Sequence, residues 1–450
     1  MRQILVLGAG KSATYLIHRL LEDAEKFDWF VTVGDISSEL ARECVRNHPR
    51  GAGIQFDIND ESHREQQIAK SDVVVNMLAP VFQGILASQC VHSGIHMVSV
   101  SYEDQAVRDL GPDAHRKGVL LLTELGLDPG IDHMSAMALI SKIREEGGRI
   151  KLFCSYGSGV PGPEEDSNPL RYVVTWNPRN VVMSGEAGAQ YLEDGRIKIV
   201  PYPEVFHHTW PVDIPGVGLM EAYANRDSLS YLDTFQLENV HTMVRGTLRY
   251  PGWSEFWSQI VKLGLPNETL RVPQLSDRTF REVIEMFLPT NNGDPDIEQR
   301  TARYLGISPT GRMMELLAWL GLFSDEKTGC QGETAAAMMI DLIQRKLPLE
   351  PGRSDLVVLL HKLEVEYDGG RPDERILSTL LCPGDPDGFT AMSKTVGFPT
   401  ASAVRLLLEG EIPLTGAQIP THPSIYTPIL RELESDGLSF SEQVEVIEKT

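Results

Sequence analysis

The chain has 450 residues, with 63 acidic and 41 basic side chains and a formal net charge of -22 at pH 7. Its length exceeds that of a usual single domain and predicts two, while the acidic balance opposes nucleic-acid backbones and anionic membranes as partners and still allows a locally positive pocket. Five cysteines, scattered without CxxC spacing, predict a reducing compartment with neither a disulfide scaffold nor a metal site.

The first predicted element is a short apolar strand, Ile4 to Leu7, running straight into Gly8-Ala9-Gly10-Lys11-Ser12-Ala13. Gly8 permits a tight turn out of the strand, Gly10 lets the backbone approach a pyrophosphate, and Ala13 lets the next helix pack closely on the sheet. That helix, roughly Ser12 to Leu21, points unpaired N–H groups at an anion, and Lys11 either adds charge beside them or is simply solvated. The next strand, Val31 to Gly34, closes on Asp35. A carboxylate about 20 residues beyond the glycines accepts hydrogen bonds from an adenine-ribose 2'-hydroxyl and repels a 2'-phosphate, so the pattern favours NAD over NADP.

The same rhythm continues. Ala52 to Asp57 reads as a strand end, and Asp72 to Met77 and Gly94 to Val100 as buried parallel strands with helices between them. Near-continuous apolar strands imply a sheet covered on both faces, a Rossmann-type α/β fold. Asn76 and the turn Leu78-Ala79-Pro80 fall at a strand end, on the edge where such folds bind ligands; the alternative for Asn76 is a turn residue holding its own backbone. Asp57 can approach an adenine or cap the helix beginning near Glu61. No leader-like segment precedes the first strand and no apolar run reaches the roughly 20 residues that cross a bilayer, so a soluble cytoplasmic protein is expected.

Val119 to Thr123 reads as the last strand of this lobe, followed by the turn Glu124 to Gly130 and a helix from Ile131 to about Glu146 with a buried apolar stripe. Strand-like pieces at Ile150 to Tyr156, Tyr172 to Trp176, Ile197 to Val200 and His241 to Tyr250 then predict a mixed or antiparallel sheet domain. Pro273 to Pro348 is more helical, broken by a turn at Thr290-Asn291-Asn292-Gly293-Asp294-Pro295. Alternation returns at Asp355 to Val365. Helices are expected from Gly397 to Leu408 and from Tyr426 to Glu434, in a tail that folds back on the nucleotide domain. The expected division is a dinucleotide-binding domain over residues 1–130, an inserted α+β substrate and dimerisation domain over 131–394, and a returning segment over 395–450.

Thr123-Glu124-Leu125-Gly126-Leu127-Asp128-Pro129-Gly130-Ile131-Asp132-His133 resembles the pattern of the saccharopine dehydrogenase family, particularly its glutamate-forming branch. Similar agreement occurs at Ser101-Tyr102, Asn168-Pro169-Leu170, Asn225 to Ser228, Arg245 to Tyr250 and Gly397-Phe398-Pro399. The resemblance implies a homodimer that oxidises the secondary amine of saccharopine with NAD(P) to an imine, which water splits into glutamate and 2-aminoadipate 6-semialdehyde. It implies substrate contacts at Ser101, Tyr102, Asp128, Arg226, Thr247, Leu248 and Arg249. It also implies proton transfer by Tyr102, Asp128 or Cys154, a buried structural thiol being the competing reading for Cys154.

The residue chemistry points the same way, since Arg226 and Arg249 can each grip a carboxylate with two parallel N–H bonds and Asp128 can meet an ammonium. His133 either orients Asp128 or satisfies the helix start. His207-His208 lacks zinc-like spacing to other ligands, and Trp210, Trp253 and Trp257 are read as packing residues. Phe153 to Pro161 departs from the family's glycine-rich turn, and Tyr156 there is expected to alter the pocket's volume. A related oxidoreductase acting on a carboxylated polyamine (carboxynorspermidine-like) precursor, and a non-catalytic dinucleotide sensor, are the competing functions.

Overall fold

The computed structural model describes residues 1–163, 168–237, 239–289 and 296–447; the turn expected at Thr290 to Pro295 lies outside the described residues. The N-terminal elements are β1 (Arg2–Leu7), α1 (Thr14–Ala24), β2 (Trp29–Asp35), α2 (Ser38–Val45), β3 (Gly51–Gln55), α3 (Glu61–Ala69), β4 (Val73–Asn76), α4 (Gln83–Ser93), β5 (His96–Ser99), α5 (Gln105–Arg116), β6 (Leu120–Leu122) and α6 (Ile131–Glu145). Then come β7 (Gly148–Pro161), α7 (Pro178–Val182), β8 (Ala189–Glu193), β9 (Arg196–Val200), β10 (Thr209–Ile214), β11 (Gly218–Ala224), β12 (Arg226–Asp227), α8 (Ser230–Thr234) and β13 (Thr242–Arg249). Helices α9 (Trp253–Lys262), α10 (Phe280–Phe287), α11 (Ile297–Leu305), α12 (Arg312–Leu320) and α13 (Ala335–Lys346) follow. The chain ends with β14 (Asp355–Tyr367), β15 (Asp373–Pro383), α14 (Ala391–Leu408), β16 (Gly416–Gln418), α15 (Pro423–Ser435) and β17 (Phe440–Ile447).

Two compact units share these elements. The first comprises Met1–Lys151, Asp233–Asn239 and Asp355–Thr450; the second, inserted in its sequence, comprises Leu152–Leu232 and Val240–Ser354.

In the first unit seven parallel strands run in the order β16-β6-β5-β4-β1-β2-β3. Leu5, Leu7, Val74, Met97 and Leu121 enter one core with Leu86 and Val107, while the alternating Ile4 and Val6 are equally buried. A strand apolar on both sides needs cover on both faces, which is the Rossmann-type architecture expected from the sequence. The order reverses on either side of β1, the switch point at which such sheets bind ligands. Strand β16 returns from the C-terminal segment to pair with β6, Ala417 opposite Leu121. Strands β14, β15 and β17 pair antiparallel.

The unit boundaries differ from the expected 130 and 394. Helix α6 stays with the dinucleotide unit because Ser141 bonds Tyr426 at 3.2 Å and Ser135 bonds His361 of β14 at 2.7 Å. Helix α14 also begins six residues before the expected Gly397, with Pro399 inside it. The Thr390 side chain caps it, and buried Asp355 accepts from the N–H groups of Ala391 and Met392. This anchored first turn offsets the helical bond that a proline removes.

In the second unit β10 pairs antiparallel with β11, β11 antiparallel with β13, and β13 parallel with β7. Strand β8 pairs with β9, β12 and β13, giving a mixed sheet. Tyr172 to Trp176 is not a strand. Asn168 accepts from the N–H groups of Leu170 and Tyr172 and donates to the Tyr172 carbonyl, so a side chain occupies the Tyr172 backbone groups that a ladder would use. Trp253 and Trp257 are fully buried, their rings stacked at 5.1 Å.

Candidate functional site

The glycine turn after β1 is built for a close ligand. Gly8 sits at φ +106, and a Cβ there would lie 2.9 Å from the Met77 carbonyl oxygen, so glycine is required by backbone and space alike. Gly10 has ordinary torsions, and a Cβ on it would meet no protein atom within 4 Å. No protein atom demands glycine at that point, which is open to an outside group. The expected helix start is a 3-10 turn over Lys11–Ala13 leading into α1, and no side chain caps the N-terminus of either, the end at which helices bind anions. Ala13 is buried, Ser12 half-buried and Lys11 exposed.

Asp35 closes β2 beside this turn. Its Oδ2 accepts the Ala9 N–H at 2.8 Å and its Oδ1 the Ser37 N–H at 2.9 Å. Two backbone bonds fix the carboxylate at the strand end, and its further lone pairs can accept from ribose hydroxyls. These residues fit a dinucleotide.

Asp57 does not cap α3; Asp60 does, accepting from His63 N–H, while Asp57 holds Asn59. Asn76 is fully buried. Its Nδ2 donates to Ser99 Oγ at 3.1 Å and its Oδ1 accepts the Leu78 N–H at 3.1 Å, so it holds the turn that follows β4.

The same network reaches Tyr102. Ser99 Oγ donates to Gln83 Oε1, and Gln83 Nε2 donates to the Tyr102 carbonyl at 2.7 Å. The Tyr102 hydroxyl donates to Asp128 Oδ1 at 3.0 Å, both residues being half-buried. Asp128 stands in a tight loop in which Gly126 N–H donates to Pro129 O and Ile131 N–H to Gly126 O. Gly130 adopts φ +146, and a Cβ there would overlap the Gly126 backbone. Ser101 joins this group through its carbonyl, which accepts the Glu124 N–H at 2.9 Å. Sequence reasoning gave Gln83 and Glu124 no role. A glutamine in the apolar stretch Pro80 to Leu86 was the available signal for the first.

In the second unit, Arg249 at the end of β13 is 3% exposed. Its Nη1 donates to Ser158 Oγ and Leu248 O. The guanidinium carbon lies 4.7 Å from the Trp253 ring centroid and 5.0 Å from that of Tyr172. Its Nε has no protein acceptor. Thr247 bonds the Tyr223 phenol, whose pKa is raised chiefly by burial. Leu248 is wholly buried, and Arg226 is exposed at φ +55.

Cys154 lies in β7, beside β13. It pairs in register with Val244, and Tyr156 with Gly246. By strand alternation they share one face of β7 with Ser158, whose Oγ accepts from Arg249. There Cys154 bonds Tyr156, which is pushed well above its usual value by burial first and by Cys154 second. Tyr156 also accepts from Trp210 Nε1 at 3.1 Å. Among the described residues, no three His, Cys, Asp or Glu side chains cluster as a metal site, and no helix is long and apolar enough to cross a membrane.

Residues 4–122 match the saccharopine dehydrogenase NADP binding domain, and residues 126–438 match the saccharopine dehydrogenase C-terminal domain. The chain belongs to the saccharopine dehydrogenase family. Within the saccharopine dehydrogenases it falls with the glutamate-forming branch. It is 32% identical to the NADP(+), L-glutamate-forming saccharopine dehydrogenase of Saccharomyces cerevisiae over 443 residues, 96% of this chain and 97% of that one. It is also 32% identical to the mitochondrial alpha-aminoadipic semialdehyde synthase of Bos taurus, covering 98% of this chain and 48% of that protein. The chain thus spans about half the length of its mammalian relatives. The structure of apo saccharopine dehydrogenase (L-Glu forming) from Saccharomyces cerevisiae superposes with a TM-score of 0.86 at 29% identity, covering 99% of this chain and 100% of that one. The homospermidine synthase of Legionella pneumophila in complex with NAD shares the fold, with a TM-score of 0.56 at 12% identity over 100% of this chain and 92% of that one.

Proposed function

We propose that this chain is an oxidoreductase of the CH–NH class that oxidises saccharopine, with NAD as the favoured dinucleotide, and releases glutamate and 2-aminoadipate 6-semialdehyde. The observation that carries the reading is Arg249, a buried guanidinium in an aromatic box with no acid opposite it among the described residues. A buried cation is costly unless it meets an anion, and a substrate carboxylate supplies one.

The bound dinucleotide supplies the hydride acceptor. Gly8, Gly10, Lys11, Ser12 and Ala13 hold its phosphates in this reading, and Asp35 its adenosine ribose. The fungal relatives are named for NADP(+); a carboxylate at Asp35, fixed by two backbone N–H groups, argues for NAD here. Asn76 and Asp57 act at most through the turns they hold.

Ser101, Tyr102 and Asp128 are assigned to the reacting amine. The Tyr102 and Asp128 pair takes the proton from the secondary ammonium, leaving nitrogen a lone pair as the neighbouring C–H bond breaks, and it returns a proton when water adds to the imine carbon. Arg226, Thr247, Leu248 and Arg249 are assigned to the carboxylate ends, the last as the buried anchor. Cys154, buried and bonded to Tyr156, is left out of proton transfer in this reading. A homodimer in a reducing compartment belongs to the same reading, with Ile197 and Ile199 of β9 offering exposed apolar surface and all five cysteines free.

The test is spectroscopic. Purified protein with saccharopine and NAD should form NADH and release one glutamate per turnover, faster than with NADP. Absence of turnover from folded protein that still binds NADH would overturn the saccharopine assignment.

A further inference from the structure

Glu124, Asp132 and His133 form a buried ion cluster beneath the Asp128 loop. His133 is fully buried, with Nε2 2.9 Å from Glu124 Oε2 and Nδ1 2.7 Å from Asp132 Oδ1. Phe235 packs edge-on against its ring at 5.6 Å. A neutral imidazole has one N–H and one lone pair, and ionised carboxylates only accept. An imidazolium, with an N–H on each nitrogen, is the form of the ring that matches an acid oxygen on both sides.

Each acid has a second task. Glu124 Oε1 accepts the Glu103 N–H at 2.9 Å, and the Glu124 N–H donates to Ser101 O at 2.9 Å, so one residue fixes the backbone on both sides of Tyr102. Asp132 Oδ1 accepts the Gly130 N–H at 2.6 Å inside the loop that carries Asp128. Glu124 is held at φ +58, a conformation that a residue with a side chain adopts only when its surroundings impose it. Without a cation between them the two buried acids would repel, and the segments they tie would part.

We propose that His133 is a positioning residue: as the cation of this cluster it clamps Glu124 to Asp132 and so holds Tyr102 and Asp128 in hydrogen-bonding register. The inference rests on the reading that this pair meets the reacting amine. It adds a residue that touches neither substrate nor dinucleotide.

Two variants of the full chain test it, His133→Gln and Glu124→Gln, each first titrated with NADH to establish folding and dinucleotide binding. Amide hydrogen exchange over residues 101–104 and 124–132 should quicken about tenfold or more in both, with exchange elsewhere unchanged. In steady state kcat for saccharopine should fall about tenfold or more while KM for NAD stays within about twofold. If His133→Gln does not fold, the near-isosteric Glu124→Gln gives the same two readouts. Unchanged exchange in both segments overturns the clamp, and faster exchange with undiminished kcat overturns the positioning role. If the unaltered protein fails to oxidise saccharopine, the proposed function falls while hydrogen exchange still decides the clamp.

Discussion

The Tyr102 hydroxyl donates a 3.0 Å hydrogen bond to Asp128 Oδ1. This joins the segment after β5 to the loop before α6 and sets an acceptor and a donor side by side. Replacing Tyr102 with Phe removes the hydroxyl and keeps the ring. Saccharopine oxidation should then lose about 100-fold in kcat, the lower range for general acid–base groups, with KM for NAD unchanged. A kcat within twofold of the unaltered protein would exclude Tyr102 from proton transfer.

In the proposed reading Asp35 sets the dinucleotide preference. Asp35→Asn keeps an acceptor for Ala9 or Ser37 but removes the charge that repels a 2'-phosphate. The ratio of kcat/KM for NAD over NADP should fall about tenfold, equivalent to roughly 1.4 kcal/mol. Initial rates with each dinucleotide at saturating saccharopine measure it, and an unchanged ratio would assign the selectivity elsewhere.

Arg249→Met separates function from stability. Exchange of a buried cation for an apolar side chain of similar length is expected to leave the thermal midpoint unchanged or higher, because Arg249 faces Tyr172, Tyr223 and Trp253 and not an acid. KM for saccharopine should rise about 30-fold or more, the loss of a charge-assisted contact of roughly 2 kcal/mol. A lowered midpoint with unchanged KM would make the guanidinium structural.

Alkaline pH should unfold the protein through its buried thiols. Burial raises Cys382 to about 12 and Cys330 to about 11, and pushes Cys90 up further. The fold keeps these groups neutral where the unfolded chain ionises them. Their contribution is therefore complete below about pH 9, where unfolded thiols begin to titrate, and is lost as pH rises through 11 to 12. Denaturant midpoints should be flat from pH 7 to 8.5 and fall steadily above pH 9. Cys382→Ser should reduce that slope.

Much of the first unit is legible in the sequence. The apolar run into Gly8, the small Ala13 and the acid at Asp35 each answer a local demand of space or charge, and the structure shows those demands at φ +106 for Gly8 and in the Ala9 to Asp35 bond. The helix signals misled where a distant group supplied what neighbours did not. Gly397 and Pro399 read as a helix start, yet α14 begins at Ala391 because Asp355, 36 residues earlier, accepts its first N–H. Tyr172 to Trp176 has strand composition, but the Asn168 amide takes the backbone groups of Tyr172 and the Val174 N–H goes to Leu347 O. Asp57 had the right residue type for a cap three residues too early.

The sequence by itself determined the alternation of strands and helices, the glycine turn, the strand-end acid and the family blocks, because periodicity and steric need are written in adjacent residues. Only the tertiary structure decided that β16 joins β6 with Thr123 bonded to Gln418, 295 residues apart. It also decided that three separate segments box Arg249, that Cys154 bonds Tyr156, and that His133 lies between two acids. Contacts of this kind depend on which distant surfaces the folded chain buries together, and no local pattern carries that information.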